Sequence, residues 1–234
     1  MNLYRTMLNL IYPQMCFVCH DEFAINAGLC ENCSKIYLIP EKNQCNKCGK
    51  LKHSCNCTRI KYNFDSVLVP FVYKWAIREK LLDLKFKDKI ENSKFFGQIL
   101  SDMIKTKYNT NNINEIIFIP LNEKSYETRK YNQSEVLANE IEYNLKIPVN
   151  KTEPLIKIGI KTKQHELNFL ERKENAQNIF KLNNNIDLEG KNILLIDDII
   201  ATGYTLDSCS KLLKQAGAGT IHAVVIASTE RADI

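Results

Sequence analysis

The sequence predicts an α/β protein, with a mostly parallel sheet, helices on both faces and a small cysteine-rich module ahead of it. Three observations carry that expectation. After residue 60, short apolar runs rich in β-branched residues alternate with segments of helical spacing. One such run, Ile193-Leu-Leu-Ile196, ends in two adjacent carboxylates and a turn of small residues. Eight of the nine cysteines fall between Cys16 and Cys57.

The 234 residues hold one sizeable domain and one small one, with the division expected at 1–60 and 61–234. A hydrophobic content of 44% and a charged content of 25% are ordinary for a soluble globular protein and argue against disorder. The net charge of +5 suits phosphate-bearing ligands but is too small to imply nucleic-acid binding by itself. No apolar run approaches the roughly 18 residues that span a bilayer. The first residues also lack the order of a secretory signal, so a cytoplasmic protein is expected. Leu3, Met7, Leu10 and Ile11 form an apolar stripe at helical spacing. Packing against the rest of the chain is its simplest use, and peripheral contact with the inner membrane is the alternative.

The cysteines read Cys16-x-x-Cys19, Cys30-x-x-Cys33, Cys45-x-x-Cys48 and Cys55-x-Cys57. Each short pair presents two thiolates to one metal, and two pairs complete a tetrahedron. Sequential grouping predicts two zinc ribbons, one from Cys16, Cys19, Cys30 and Cys33 and one from Cys45, Cys48, Cys55 and Cys57. Crossed pairing, a single filled site and an iron–sulfur cluster are the competing readings. A disulfide scaffold would call for a secretory setting. A set made only of cysteine leaves no open position for substrate, which makes the metal structural. Its binding would contribute on the order of 10–16 kcal/mol per site to folding the module. Lys35, Lys42, Lys47, Lys50 and Lys52 give that module a basic surface. Cys209, in a later helix, reads as a small buried apolar residue.

The remaining elements follow from apolar spacing. Residues 58–65 read as a linker and 66–73 as a strand, which Pro70 demotes to an edge or bulged one. Helices are expected at 76–86 and 91–107, a surface loop at 109–114, and a strand at 115–119 stopped by Pro120. A polar loop over 122–133 then precedes a helix marked by Val136, Leu137, Ile141 and Leu145. A short strand is expected at 147–149. Residues 157–178 are polar and basic without a core pattern, a length that suggests a functional flap. Strands at 193–196 and 221–227 flank a helix at 204–216, which Gly217 closes. Ligands of such sheets bind beyond the carboxyl ends of the strands, where Pro120 and Asp197 both stand.

Asp197 and Asp198 are therefore placed to accept hydrogen bonds from vicinal sugar hydroxyls and to stabilise positive charge developing on a sugar. The turn of Ala201, Thr202, Gly203, Tyr204 and Thr205 opens a helix and offers backbone N–H groups, two threonine hydroxyls and a glycine to a phosphate. Together the segment predicts a site for a sugar phosphate.

The run from Ile193 to Thr205 resembles the phosphoribosyl-pyrophosphate signature of type I phosphoribosyltransferases. That resemblance implies that the two acids hold the ribose hydroxyls and the turn holds the 5-phosphate. Ala201 stands where many members have threonine or serine. The cysteine module together with Arg129-Lys-Tyr-Asn-Gln133, Lys85-Phe86, and Gln164, Leu167, Arg172, Asn175 and Phe180 is similar to the ComF family of competence-associated proteins. Lys130 replaces a glycine and Tyr131 a phenylalanine of that pattern. The resemblance implies Asp197, Asp198 and Arg129 as catalytic residues, with Lys85 and Arg172 joining the turn as phosphate ligands. It implies phosphoribosyl pyrophosphate and Mg2+ as ligands beside the zinc. It also implies single-stranded DNA as a partner in natural transformation, together with a DNA-uptake helicase or membrane-channel components. A phosphoribosyltransferase of nucleotide salvage with an accessory zinc module is the alternative.

Overall fold

The computed structural model describes residues 15–21, 23–25, 28–55, 57, 60–87, 89–158, 179–183 and 186–229. The stripe at Leu3, Met7, Leu10 and Ile11, and the block containing Gln164, Leu167, Arg172 and Asn175, lie outside these residues.

A parallel sheet organises the chain. Its strands are β1 (Ser66–Leu68), β2 (Phe71–Val72), β3 (Glu115–Phe118), β6 (Ile193–Ile200) and β7 (Ile221–Ser228), in the order β1-β7-β6-β3 with β2 also on β7. Helix α1 (Glu31–Tyr37) precedes them, and α2 (Trp75–Phe86), α3 (Glu91–Lys107), α4 (Glu123–Arg129), α5 (Gln133–Leu145) and α6 (Tyr204–Gln215) run between them. Strands β4 (Leu155–Lys157) and β5 (Phe180–Leu182) form a separate antiparallel pair.

Both faces of the sheet are covered, because side chains alternate along β6. Leu194 and Ile196 join a core with Ile77 and Leu81 of α2, Phe96 and Leu100 of α3, and Leu137 and Ile141 of α5. Ile193 and Leu195 face the opposite way and join Leu206, Cys209 and Leu213 of α6. Cys209 is fully buried there, as its small apolar character predicts. Helices α3 and α5 approach so closely that a Cβ on Gly97 would stand 2.5 Å from the Glu140 Cβ.

Four expectations change. The strand at 66–73 breaks into β1 and β2 around Val69 and Pro70, since proline has no N–H to give the ladder. Residues 123–129 are a helix rather than a loop. The Asn122 side chain accepts from the Ser125 N–H at 2.8 Å and caps a segment too polar to show an apolar stripe. Residues 147–149 make only an isolated parallel bridge, Ile116 with Val149. Finally, β6 runs through Ile200, not Ile196, because β7 continues to pair with it from Ile193↔Ile221 to Ile200↔Ser228.

The cysteine module covers the outer edge of the sheet. Leu38 bridges Phe71, the Ile39 N–H donates to the Pro70 carbonyl at 2.8 Å, and the Val67 N–H donates to the Asn46 carbonyl at 2.9 Å. The Gln44 amide also donates to the Val69 carbonyl. These bonds satisfy groups that an open strand edge would expose. Leu29, Cys33 and Tyr37 meanwhile enter the same core as Phe71 and Phe96.

Candidate functional site

Asp197 and Asp198 lie within β6, just past the point where β3 ends. Phe118 pairs with Ile196, and the Ile119 N–H donates to the Ile196 carbonyl at 2.9 Å. The two acids thus stand above the carboxyl end of β3 while β7 still braces them from the other side. Successive side chains of a strand point to opposite faces, so the pair divides between two sets of partners.

Asp198 faces α2. Its Oδ2 lies 2.6 Å from Lys85 Nζ, and the two side chains are only 14% and 15% exposed. Asp197 accepts from the Ser134 hydroxyl at 3.1 Å and from the Asp198 N–H at 2.8 Å, both at Oδ1. Burial pushes its carboxyl up to about 7, and the adjacent Asp198 charge adds to the rise. The bonds from the Asp198 N–H and Ser134 and the charge of Lys85 oppose it.

The elements that carry these partners interlock. Asn132 caps α5 by accepting from the Ser134 N–H at 3.0 Å, and its amide donates to the Ile119 carbonyl at 2.9 Å. Arg129 Nη1 donates to Gln133 Oε1 at 3.0 Å, and its guanidinium lies over the Phe86 ring at 5.0 Å. The Tyr131 hydroxyl donates to the Leu84 carbonyl. The pairs Lys85-Phe86 and Arg129 with Gln133, remote in sequence, are therefore parts of one clasp around the acids. Lys130, between them, adopts φ 65° and ψ −8° at the end of α4. That is the left-handed region, which glycine enters without strain and lysine at some cost.

Beyond β6, residues 201–203 turn into α6. Gly203 has φ 81° and precedes the helix without supplying a side-chain cap. The first N–H groups of any helix lack acceptors within it, so this turn offers donors with the helix dipole behind them. A Cβ on Gly203 would approach Tyr62 to 3.0 Å, and the Tyr62 hydroxyl donates to the Thr202 carbonyl at 3.1 Å. The segment expected to be a mere linker thus supports the turn. Neighbouring acids, a cation and uncapped backbone donors form the donor set that a sugar phosphate with a divalent cation requires.

Sequence reasoning missed Ser134 and Tyr62. Asn132-Gln-Ser134 carries a cap signal, but only the fold brings that helix start to Asp197. Arg172 lies outside the described residues.

The cysteines divide as sequential grouping predicts. The sulfurs of Cys16, Cys19, Cys30 and Cys33 all lie within 4.8 Å of one another, and so do those of Cys45, Cys48, Cys55 and Cys57. A tetrahedral zinc with Zn–S bonds of about 2.3 Å requires sulfurs about 3.8 Å apart. Cys19 and Cys30 are separated by 3.9 Å, Cys45 and Cys57 by 3.5 Å, and Cys48 and Cys55 by 3.4 Å. Cys55 and Cys57 stand 3.2 Å apart, closer than a bound zinc would hold them, and with that pair opened slightly both sets supply four sulfurs to structural zinc. Among the described residues no helix is long and apolar enough to cross a membrane.

The phosphoribosyl transferase domain matches residues 87–233, and the double zinc ribbon domain matches residues 7–61. The DNA utilization protein YhgH of Shigella flexneri is 25% identical over 222 residues, covering 91% of this chain and 96% of that protein. Competence protein F of Haemophilus influenzae is 26% identical over 217 residues, covering 88% and 93%. Competence protein ComFC of Streptococcus pneumoniae is 28% identical over 195 residues, covering 81% and 83%. The two domains in this order, with similarity to such proteins over most of the chain, establish a type I phosphoribosyltransferase-like fold behind a double zinc ribbon and make the chain a member of the ComF family.

Proposed function

We propose that the chain binds phosphoribosyl pyrophosphate with Mg2+ at the rim of β6 and handles single-stranded DNA during natural transformation. The observation that carries the first part is the acid pair of Asp197 and Asp198 immediately ahead of the uncapped turn at Gly203. In this reading the two carboxylates accept from the ribose hydroxyls. Ala201, Thr202, Gly203, Tyr204 and Thr205 hold the 5-phosphate. Lys85 and Arg129 offset negative charge on the ligand, and Arg172 joins them from the segment between β4 and β5. Bound Mg2+ would neutralise the pyrophosphate leaving group. Lys85 already engages Asp198 at 2.6 Å, so ligand entry exchanges one partner of that lysine for another.

The competence and DNA-utilization names of the relatives support the second part. Binding of single strands by basic residues should fall steeply with salt and depend weakly on sequence.

A thermal shift with phosphoribosyl pyrophosphate and Mg2+ tests the pocket. The wild-type protein should be stabilised, and the double variant Asp197→Asn with Asp198→Asn should not respond. An equal shift in that variant would remove the assignment. Titration of a fluorescent single strand at several salt concentrations tests the DNA role, which absent or salt-independent binding would contradict. Release of pyrophosphate across candidate acceptors, nucleic acid included, separates turnover from binding.

A further inference from the structure

The segment that joins the second cysteine set to β1 grips the turn at 201–203 with two consecutive residues, Tyr62 and Asn63. It leaves the set at Cys57, whose carbonyl accepts from the Ile60 N–H at 2.9 Å, and it enters the core at the buried Phe64. Phe64 stacks on Tyr62 with centroids 4.7 Å apart and planes 16° apart, which gives the Tyr62 ring a fixed seat. From that seat the Tyr62 hydroxyl donates to the Thr202 carbonyl at 3.1 Å. A planar trans peptide points its C=O and its N–H in opposite directions. With the Thr202 carbonyl held toward Tyr62, the Gly203 N–H is turned away from that ring. Glycine restricts the rotation of its flanking peptides least, so the orientation of this plane depends on such an outside contact.

Asn63 makes the next contact. Its N–H and its side-chain amide both donate to Oδ1 of Asp207, at 2.6 Å and 2.8 Å. Asp207 lies in the first turn of α6. A carboxylate in that position is attracted by the helix dipole and competes with a bound anion for the N–H groups that open the helix. Among the described residues, the hydrogen bonds to the Asp207 side chain come from Asn63. The carboxylate is thus engaged from the side of the connecting segment rather than by the helix start.

We propose that Tyr62 and Asn63 are positioning residues for the phosphate of the ligand: Tyr62 sets the Thr202–Gly203 peptide so that the Gly203 N–H is presented to the phosphate, and Asn63 keeps the Asp207 carboxylate from competing with it. The inference rests on the reading of residues 201–205 as the 5-phosphate site. Each residue acts through a group of the turn or of α6, and neither touches the ligand. The two losses differ in kind. Without the Tyr62 hydroxyl a donor is no longer held in place, whereas without Asn63 a negative charge is released beside the phosphate. Only the second loss can be relieved by neutralising Asp207.

Calorimetric titration of the full, zinc-loaded chain with phosphoribosyl pyrophosphate and Mg2+ tests the inference. Tyr62→Phe keeps the ring and removes the hydroxyl, and it should weaken binding about three- to tenfold. Asn63→Ala should weaken binding by a similar factor. Adding Asp207→Asn to Asn63→Ala should recover most of that loss, and Asp207→Asn alone should bind at least as tightly as wild type. A merely structural defect at Asn63 would not be reversed in this way. Melting temperature and zinc content without ligand establish that the variants are folded, and the conservative Tyr62→Phe keeps the test open if Asn63→Ala disturbs the segment. In protein labelled with 15N-glycine, the Gly203 amide signal should move on addition of the ligand, and should move less in Tyr62→Phe. Wild-type affinity in either folded variant, or no recovery on adding Asp207→Asn, overturns the inference while leaving the phosphate site in place. Wild-type protein that does not bind phosphoribosyl pyrophosphate removes the site itself, and the inference with it.

Discussion

Lys85 reaches from the last turn of α2 to within 2.6 Å of the Asp198 carboxylate in β6. With both side chains mostly buried, each is the main compensation for the other's lost hydration. Lys85→Met should destabilise the protein by about 1–3 kcal/mol, since it takes from the mostly buried Asp198 carboxylate the cation it is paired with. Adding Asp198→Asn should restore part of that loss. Urea denaturation of the two single variants and the double variant measures the coupling. Strict additivity would mean that the pair contributes nothing.

Asp197 ties stability to pH with a defined sign. Its carboxyl titrates near 7 when folded, against an ordinary value of about 3.9. Between those values the folded state holds a proton that the unfolded state lacks. This contribution is fully present below about 4 and is lost as pH rises to about 7. His222 acts the other way, because burial depresses its pKa. Comparing Asp197→Asn with wild type isolates the acid, and the variant should gain most in relative melting temperature above pH 7.

Ligand affinity should show the complementary dependence. If the ionised form of Asp197 accepts from ribose, binding of phosphoribosyl pyrophosphate should strengthen as pH rises through about 7. Ser134→Ala removes the 3.1 Å bond to Asp197 and should move that midpoint upward. Affinity measured at intervals from pH 6 to 8.5 would expose an unshifted midpoint, which would exclude this role for Ser134.

Lys130→Gly should stabilise the protein. At φ 65° a lysine carries left-handed strain of roughly 1–2 kcal/mol, and glycine offsets part of the gain through unfolded-state entropy. A net gain of about 0.5–1 kcal/mol in chemical denaturation is expected, with Arg129 and Gln133 still in contact.

Zinc removal should damage more than the ribbons. Chelation releases the segment whose Leu38, Ile39 and Asn46 cover β1 and β2, leaving an open parallel edge. The metal-free protein should lose its cooperative melt and self-associate, as light scattering would detect. A monomeric, cooperatively melting apo-protein would show that the sheet edge does not need its cover.

Much of the architecture was legible locally. The apolar run Ile193-Leu-Leu-Ile196 and the spacing of the cysteines depend only on side-chain period and ligand count, so strand, turn and both metal sets were accessible. The end of β6 was not, because Asp197 to Ile200 are strand only through pairing with β7. Helix α4 was hidden for a related reason: its four-sided polarity gives no periodic signal, and its Asn122 cap is recognisable mainly after the fact.

The sequence by itself determined the chemical inventory: two acids before a small-residue turn that opens a helix, eight thiolates in two sets, and cations in short blocks. Tertiary structure decided which of these meet. It paired Lys85 with Asp198, set Ser134 on Asp197, laid Arg129 over Phe86 and brought Tyr62 against Thr202. The physical reason is range. Turn geometry and metal chelation act between near neighbours in the chain, whereas burial of charge and packing of rings depend on which helices the sheet order brings together.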